Sequence, residues 1–354
     1  MKKILPIIVF ISLIAVSASS QIGGDNVYEF LNLSPSARVT ALGGALISVK
    51  DDDAALIHEN PGVLNPLQHN QLTASHQFHL AGIQHGFFDY ARHIEAWDMT
   101  LHAGMQYVNY GEFDSANEAG NITGTFKANE YAFNIGAGKQ LYEKLSVGAN
   151  LKLINSQFAS YNSSGGALDL GAYYQDTSSL FSIGFVIKNA GIQFTKYEDE
   201  REVLPFDMQI GISQKLRHLP FRFTITYHNL HRWNILYDDP NAEESVSFFD
   251  QEEANVRGIW SVRVDNFFRH LSFSGEFLLG QKENFRMRIG YHHQRRKELK
   301  VDNFRSLSGF SGGIGMKINR FRIDYGHSFY HLAGNLSHFT ISTNLGAFRK
   351  RIKG

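Results

Sequence analysis

The sequence contains no cysteine and, after its first twenty residues, no long apolar run. Without cysteine there are no disulfides and no thiol chemistry, so a metal site would need histidine or carboxylate ligands. After Gln21 no stretch approaches eighteen consecutive apolar residues, which leaves no candidate for a membrane-spanning helix. Lys and Arg together number 34, as do Asp and Glu, and this balance shows no nucleic-acid-binding footprint.

Several familiar catalytic motifs are also missing. The chain has no H-E-x-x-H, C-x-x-C or S-x-x-K sequence. Gly312–Gly315 lies in a strand-like stretch with no helix after it, so we expect barrel curvature or a close approach rather than a phosphate loop. Adjacent residues of a strand point to opposite faces, so His292 and His293 cannot chelate one metal. Asp51–Asp53 lacks the spacing of a calcium loop and is interpreted as a solvated turn. We therefore predict a protein that is not an enzyme and has no cofactor or metal.

What the sequence does contain is one-for-one alternation of apolar and polar residues. In Leu145–Leu153 every odd position is apolar, whereas the even positions carry Ser, Gly, Asn and Lys. Successive side chains of a strand point to opposite faces, so such a segment has one apolar and one polar face. A transmembrane barrel turns the apolar face to lipid and the polar face to its lumen.

Fourteen segments show this alternation and predict fourteen antiparallel strands. They are 72–80, 82–91, 98–110, 129–140, 144–156, 164–175, 178–189, 205–216, 219–230, 268–280, 284–295, 308–318, 320–331 and 335–346. Arg222, Arg286 and Arg288 must face the lumen, because an arginine at the lipid midplane costs about 2–4 kcal/mol. Together these features predict an all-β fold, a closed transmembrane β-barrel of the outer-membrane type.

The connections between these strands alternate between short and long. The long ones are predicted at 111–128, 190–204, 231–267 and 296–307, all on the same side of the barrel. This parity places both chain termini in the periplasm and the long loops at the surface of a diderm bacterium. The stretch 250–268 is predicted to form an amphipathic helix in the longest loop.

The N-terminal part of the chain is divided into two segments. Residues 1–20 combine two lysines, an apolar stretch and a small-residue cleavage site, which is typical of a secretory signal peptide. Residues 21–68 are predicted to form a hatch folded into or under the barrel, and residues 69–354 the barrel itself. The hatch carries a set of ordered motif residues: Ser36, Arg38, Gly43, Gly44, Asp53, Asn60 and Pro61.

These motifs resemble the pre-barrel segment of FadL-like outer-membrane barrels, and Gly24–Leu31, Arg269–Glu276 and Asp324–Gly334 resemble segments of the PorQ-like members of that group. Within that group the chain is most similar to the PorQ-like barrels of type IX secretion. The resemblance covers nearly the whole mature chain, although Gly62 stands where the wider group usually has alanine.

The resemblance implies a non-enzymatic barrel of the type IX secretion machinery, anchoring a PorZ-like surface subunit of the attachment complex near a sortase. As an outer-membrane barrel, the chain is also expected to contact outer-membrane lipid and lipopolysaccharide. Loop aromatics could serve as interface anchors, or they could form local clusters or contact lipopolysaccharide. These are Phe194, Tyr197, Tyr237, Phe248 and Phe249.

Two other functions stay open at this point. One is a FadL-like transporter of hydrophobic small molecules, which requires an apolar pocket in the lumen. Val186 and Leu278, apolar residues on inward faces, are compatible with such a pocket. The other is an outer-membrane enzyme, suggested only by the sixteen histidines and the carboxylates.

Overall fold

The computed structural model describes residues 26–79, 82–236, 259–299, 307–331 and 334–348. The predicted signal peptide, 1–20, lies outside these residues, as do Tyr237, Phe248, Phe249 and the first part of the predicted loop helix. No helix in the described ranges is long and apolar enough to cross a bilayer.

Fourteen strands form one antiparallel sheet. They are β1 (Gln71–Phe78), β2 (Gln84–Ile94), β3 (Met99–Ala116), β4 (Ile122–Tyr142), β5 (Leu145–Phe158), β6 (Tyr161–Asp176), β7 (Phe181–Thr195), β8 (Asp207–Lys215), β9 (Phe221–Tyr227), β10 (Leu271–Leu279), β11 (Phe285–His292), β12 (Phe310–Ile318), β13 (Phe321–His331) and β14 (Gly334–Asn344).

The sheet closes on itself, because β1 pairs with both β2 and β14. At the seam, Gln71 lies opposite Asn344 and Phe78 opposite Ser337. Each of the strands β2 to β13 pairs with its two neighbours in sequence. The predicted closed barrel of fourteen antiparallel strands is therefore confirmed.

The burial of side chains is that of a membrane barrel. On β5, Leu151 and Leu153 point outward and are about half exposed, whereas Asn150 and Lys152 are buried. The same inversion recurs around the wall, with large apolar side chains outside and polar ones inside. This arrangement suits a surrounding lipid phase and a polar interior.

The two ends of the barrel differ. One end, called here the turn end, has the short connections 95–98, 143–144, 177–180, 216–220, 280–284 and 319–320. The opposite end, called the loop end, has the long connections that follow β7, β9 and β11. The predicted long loops at 190–204, 231–267 and 296–307 correspond to these three connections.

Two predicted connections have a different structure. The loop 111–128 is mostly a hairpin, since β3 and β4 extend past the other strands and leave a turn at 117–121. Most side chains of this extension are exposed, so its residues show no apolar alternation that could reveal a strand. The strand predicted to end at residue 295 ends at His292 instead. The residues that follow it form a helix, α3 (His293–Glu298).

The described part of the longest loop contains the predicted helix. Helix α2 covers Ile259–Arg269 and ends one residue after the predicted range of 250–268. It packs against α3. Ionic contacts join them, because Asp265 of α2 accepts from His293 (3.3 Å) and Lys297 (2.9 Å) of α3.

The chain before β1 lies inside the barrel. Helix α1 (Ala37–Ala41) packs against β12, β13 and β14, and the 3₁₀ turn Pro61–Val63 packs against β4, β5 and β6. Most side chains of residues 27–65 are buried. The barrel is thus filled by its own N-terminal segment, for which the name hatch is kept.

Candidate functional site

Three of the sequence motif residues cap short helices of the hatch. Ser36 Oγ accepts from Val39 N at the start of α1, and Asp53 Oδ1 accepts from Ala55 N at the start of the 3₁₀ helix Ala54–His58. Asn60 Oδ1 accepts from Gly62 N (2.8 Å), with Pro61 at the first helical position. Ser, Asp and Asn are the preferred N-caps, since their side chains satisfy free backbone N–H groups.

The two motif glycines end helix α1. Gly43 and Gly44 have φ of +89° and +91°, a backbone region that strains other residues. Gly44 N donates to Val39 O (2.9 Å), which satisfies a carbonyl of the helix end. The wall leaves little room here, since a Cβ on Gly290 would lie 2.3 Å from Gly43 N.

Arg38 lies at the centre of a buried polar contact between hatch and wall. Its side chain is 2% exposed and donates to Asp51 (2.8 Å) and Asp53 (3.2 Å) of the hatch and to Glu276 of β10 (3.3 Å). Burial alone would lower the pKa of Arg38, but these three carboxylates hold it well above its usual value. Burial likewise disfavours ionised Asp51, yet Arg38 and Arg286 hold the pKa of that carboxyl below its usual range.

Further charged side chains of the wall extend this contact. Arg288 pairs with Glu276 (2.9 Å) and Asp324, Arg222 pairs with Glu276, and Arg322 pairs with Asp52 (2.8 Å). The resulting turn-end charge cluster has five arginines and five acids: Arg38, Arg222, Arg286, Arg288, Arg322, Asp51, Asp52, Asp53, Glu276 and Asp324. Its formal charges balance, as a buried cluster requires.

This cluster bears on two predictions from the sequence, the lumen-facing arginines and the solvated turn at Asp51–Asp53. Arg286 and Arg288 are buried and Arg222 pairs with the buried Glu276, so the three arginines face the lumen as predicted. The interpretation of Asp51–Asp53 as a solvated turn is wrong, because all three carboxylates pair with buried or half-buried arginines. These partners lie on strands far along the chain and could not be seen from the charge run alone.

Asn60 and Pro61 fix the other side of the hatch. Asn60 Nδ2 donates to Ile47 O (2.8 Å) within the hatch and to Ala172 O of β6 (3.1 Å). Pro61 lies so close to the wall that a Cβ on Gly148 would be 2.1 Å from its carbonyl oxygen. Gly313 plays the same part beside Ala41, where an added Cβ would be 2.6 Å from the Ala41 Cβ. The predicted close approach of the hatch to the Gly312–Gly315 segment is therefore seen.

The first residues of the hatch occupy the apolar part of the lumen. Val27, Tyr28, Phe30 and Leu31 form one buried apolar cluster with residues from the wall and the β7–β8 loop. Those other residues are Val108, Ala132, Ile154, Ala167 and Leu204. The apolar surface that faces the lumen here is thus covered by the chain itself.

The predicted loop anchors have different surroundings. Phe194, on the outward face of β7, is 55% exposed. Tyr197 packs against the apolar cluster and the ring of Phe158, and its hydroxyl bonds to Ser156. Tyr197 is therefore a packing residue and not a free loop aromatic.

One cluster of metal-ligating side chains was missed in the sequence. His58 of the hatch and His102 of β3 both lie within 3.0 Å of the same carboxylate, Asp89 of β2. Within the described ranges this is the one group of three or more His, Asp or Glu whose ligand atoms are close enough for a metal ion. The three residues share no motif spacing, so only the folded chain reveals them.

The chain has the fold of FadL-like outer-membrane barrels. It resembles the toluene transporter TodX of Pseudomonas putida, with a TM-score of 0.53 and 14% identity over 88% of this chain and 96% of TodX. It also resembles a FadL homologue of Pseudomonas aeruginosa, with a TM-score of 0.51 and 8% identity over 91% of this chain and all of that one. No protein-family model and no curated protein matches the sequence. Identities this low establish the fold alone.

Proposed function

We propose that this protein is a non-enzymatic outer-membrane barrel of the type IX secretion type, which holds a surface protein of PorZ-like character at its loop end. The observation that carries the proposal is the filled lumen. Ion pairs fix the hatch near the turn end, and its first residues cover the apolar lumen surface. A barrel closed in this way suits a membrane anchor, and the resemblance of the ordered motifs supplies the secretion context.

The loop end offers surfaces for such a partner. Trp233, in the β9–β10 loop, is 61% exposed, and helices α2 and α3 lie at the same end. Exposed tryptophans are frequent anchors of protein interfaces. In this proposal the sortase belongs to the partner's assembly, and lipopolysaccharide contacts the outer wall.

A second function is supported more directly by the structural comparisons. TodX is a toluene transporter, and a FadL-like fold would suit uptake of small hydrophobic molecules by this chain. The outer wall also carries an apolar depression of about 530 Å³, lined in part by Ala137, Val147, Ala149 and Phe185. On the inner side of that wall, Gly148 contacts Pro61 of the hatch. A hydrophobic molecule in the depression would be separated from the hatch by one strand layer.

One experiment distinguishes the anchor function from the transport function. The tagged protein is captured from gently solubilised outer membranes, and the proteins and lipids bound to it are identified by mass spectrometry. The anchor proposal predicts a large surface β-protein and a sortase in the captured material. Capture of the barrel alone, with bound hydrophobic small molecules, would favour transport instead.

Two tryptophans of equal exposure serve as a matched pair in this experiment. Trp233 lies at the loop end and Trp97 at the turn end, and each is 61% exposed. Trp233→Ala is expected to reduce capture of the surface protein, whereas Trp97→Ala is expected to leave it unchanged. Equal loss in both variants would contradict a partner site at the loop end.

A further inference from the structure

Three side chains from three different elements meet in the lumen beside β2 and β3. His58 ends a 3₁₀ helix of the hatch, and Asp89 and His102 lie on the adjacent strands β2 and β3. The His58 Nε2 to Asp89 Oδ1 distance is 2.7 Å, and the His102 Nε2 to Asp89 Oδ1 distance is 3.0 Å. The side chains of Asp89 and His102 are fully buried, and that of His58 is 6% exposed.

The carboxylate of Asp89 is only partly satisfied by these contacts. Both imidazoles approach the same oxygen, while Asp89 Oδ2 is buried and has no hydrogen-bond partner among the described residues. His102 Nδ1 is buried and unpartnered as well. No lysine or arginine in the described ranges forms an ion pair with Asp89, in contrast to the acids of the turn-end charge cluster. A buried carboxylate without a permanently charged partner is costly.

Two imidazoles and one carboxylate are the ligand set of many zinc sites. The three candidate ligand atoms lie within 4.8 Å of one another. With metal–ligand bonds of about 2.0–2.2 Å, ligand atoms around a tetrahedral ion are about 3.3 Å apart. The carboxylate-to-imidazole distances are a few tenths of an ångström below that value, whereas the three ligand atoms spread over as much as 4.8 Å, so both histidine side chains would rotate to bring their nitrogens around an ion. Its charge would then compensate Asp89.

We propose that His58, Asp89 and His102 bind a divalent first-row metal ion, with zinc as the preferred ion, and that this ion ties the hatch to the barrel wall. Each ligand comes from a separate element, so the bound ion cross-links the Ala54–His58 helix to strands β2 and β3. A fourth position is left for water. The inference is independent of the proposed function, since an anchor and a transporter both need a positioned hatch.

Zinc chloride is the probe in the test, added to the full-length protein purified in detergent and first treated with a chelator. We expect one zinc ion per chain by elemental analysis and a higher thermal midpoint with zinc than with chelator. His58→Gln and His102→Gln should each weaken zinc binding by about tenfold or more. Even replacing residues that only hydrogen-bond to metal ligands lowers metal affinity by about 10–100-fold. Both variants should also abolish the rise of the midpoint.

His85→Gln is the matched control, because His85 is a fully buried histidine of β2 outside the cluster. It should bind zinc as the wild type does. Binding below one equivalent in the wild type, or equal binding in all three variants, would overturn the proposal. Cobalt added to the wild type gives a second readout that needs no variant. Absorption bands of four-coordinate cobalt with nitrogen and oxygen ligands support the site, and a spectrum of free aqueous cobalt contradicts it.

Discussion

At the scale of single residues, Arg38 joins the hatch to the barrel wall through three carboxylates. It is the only arginine of the described hatch, and it joins two hatch carboxylates to Glu276 of the wall. The guanidinium can serve three carboxylates at once, because its N–H groups form a rigid planar fork. Neither a lysine nor an apolar residue reproduces that geometry.

Replacing Arg38 with Met should lower the free energy of unfolding by about 3–5 kcal/mol, the range found when one member of a buried ion pair is removed. The loss arises because Asp51, Asp53 and Glu276 keep their negative charges without their common partner. Thermal unfolding in detergent, followed by near-ultraviolet circular dichroism, measures the change. Arg92→Met is the control, since Arg92 is an exposed residue of β2. A variant of Arg38 as stable as the control would refute a central role.

Lys50 is a half-buried cation of the hatch with no acidic partner in the described ranges. Its Nζ donates to Gln140 (2.7 Å) and Ser146 (3.1 Å) and lies 5.6 Å from the centre of the Tyr173 ring. Burial lowers the pKa of Lys50 to about 8 from its usual 10.5. Folding therefore favours the neutral amine.

The sign of the resulting pH dependence follows from that shift. Below pH 8 the folded protein bears the cost of a partly desolvated ammonium, and this cost falls as pH rises from about 8 toward 10.5. The thermal midpoint of the wild type should rise across this window relative to that of Lys50→Met. Lys127→Met, which removes an exposed lysine, should keep the wild-type profile. Parallel profiles of all three proteins would contradict the shift.

Only some of these features could be predicted from the sequence. Arg38 and Asp53 are motif residues, and Arg222, Arg286 and Arg288 are predicted to face the lumen, because period-two alternation decides the face of each strand residue. The ion pairs between these residues could not be predicted. Asp51–Asp53 and Arg322 are separated by about 270 residues, and His58, Asp89 and His102 share no spacing, so their contacts depend on the closed barrel.

At the scale of elements, the hatch is a series of short capped helices seated on glycines of the wall. Ser36, Asp53 and Asn60 begin three of them, and Asn65 begins a fourth with a capping box. Each helix is too short to be stable alone, so packing against the wall must stabilise it. Wall glycines permit that packing because they leave room for hatch backbone.

Gly148→Ala tests this contact on the β5 side. The added Cβ would meet Pro61 backbone atoms at 2.1 and 2.5 Å, so the turn Pro61–Val63 must move away from the wall. We expect a loss of about 1–3 kcal/mol in the free energy of unfolding, as for overpacked cores. Gly124→Ala, in the extended part of β4 with open space around it, should be nearly neutral in comparison. Chemical denaturation of both variants measures the difference in the free energy of unfolding. Equal stability would contradict the prediction, because it would mean that Pro61–Val63 moves away from the wall without loss of stability.

Elements inside the lipid band were predicted better than those outside it. Within the band, lipid on one side and polar lumen on the other impose alternation, which the sequence displays in all fourteen strands. The β3–β4 extension has water on both faces, so nothing in its sequence marks it as a strand. Helix α3 begins directly after β11, where the polar residues His293–Glu298 fit either structure.

At the scale of the whole molecule, the filled lumen determines whether ions can pass. Hatch residues contact inward-facing groups of the wall from the turn-end charge cluster to the apolar cluster of Val27, Tyr28, Phe30 and Leu31. The purified protein should therefore show no open-pore conductance in planar lipid bilayers. Removal of residues 26–68 should produce discrete conductance steps in barrels that still show heat-dependent gel mobility. Open-pore conductance of the wild type would contradict a lumen filled by the hatch.

The seam between β1 and β14 has a consequence for biogenesis. Gln71 pairs with Asn344, so the wall cannot close before the last strand of the chain is present. The hatch precedes β1 and contacts β4, β5, β6, β12, β13 and β14 from within. A segment of that width cannot be threaded into a finished cylinder, so the strands must assemble around it. Closing of the seam is then the last event of assembly, and a chain truncated before β14 would leave two open sheet edges and an uncovered hatch.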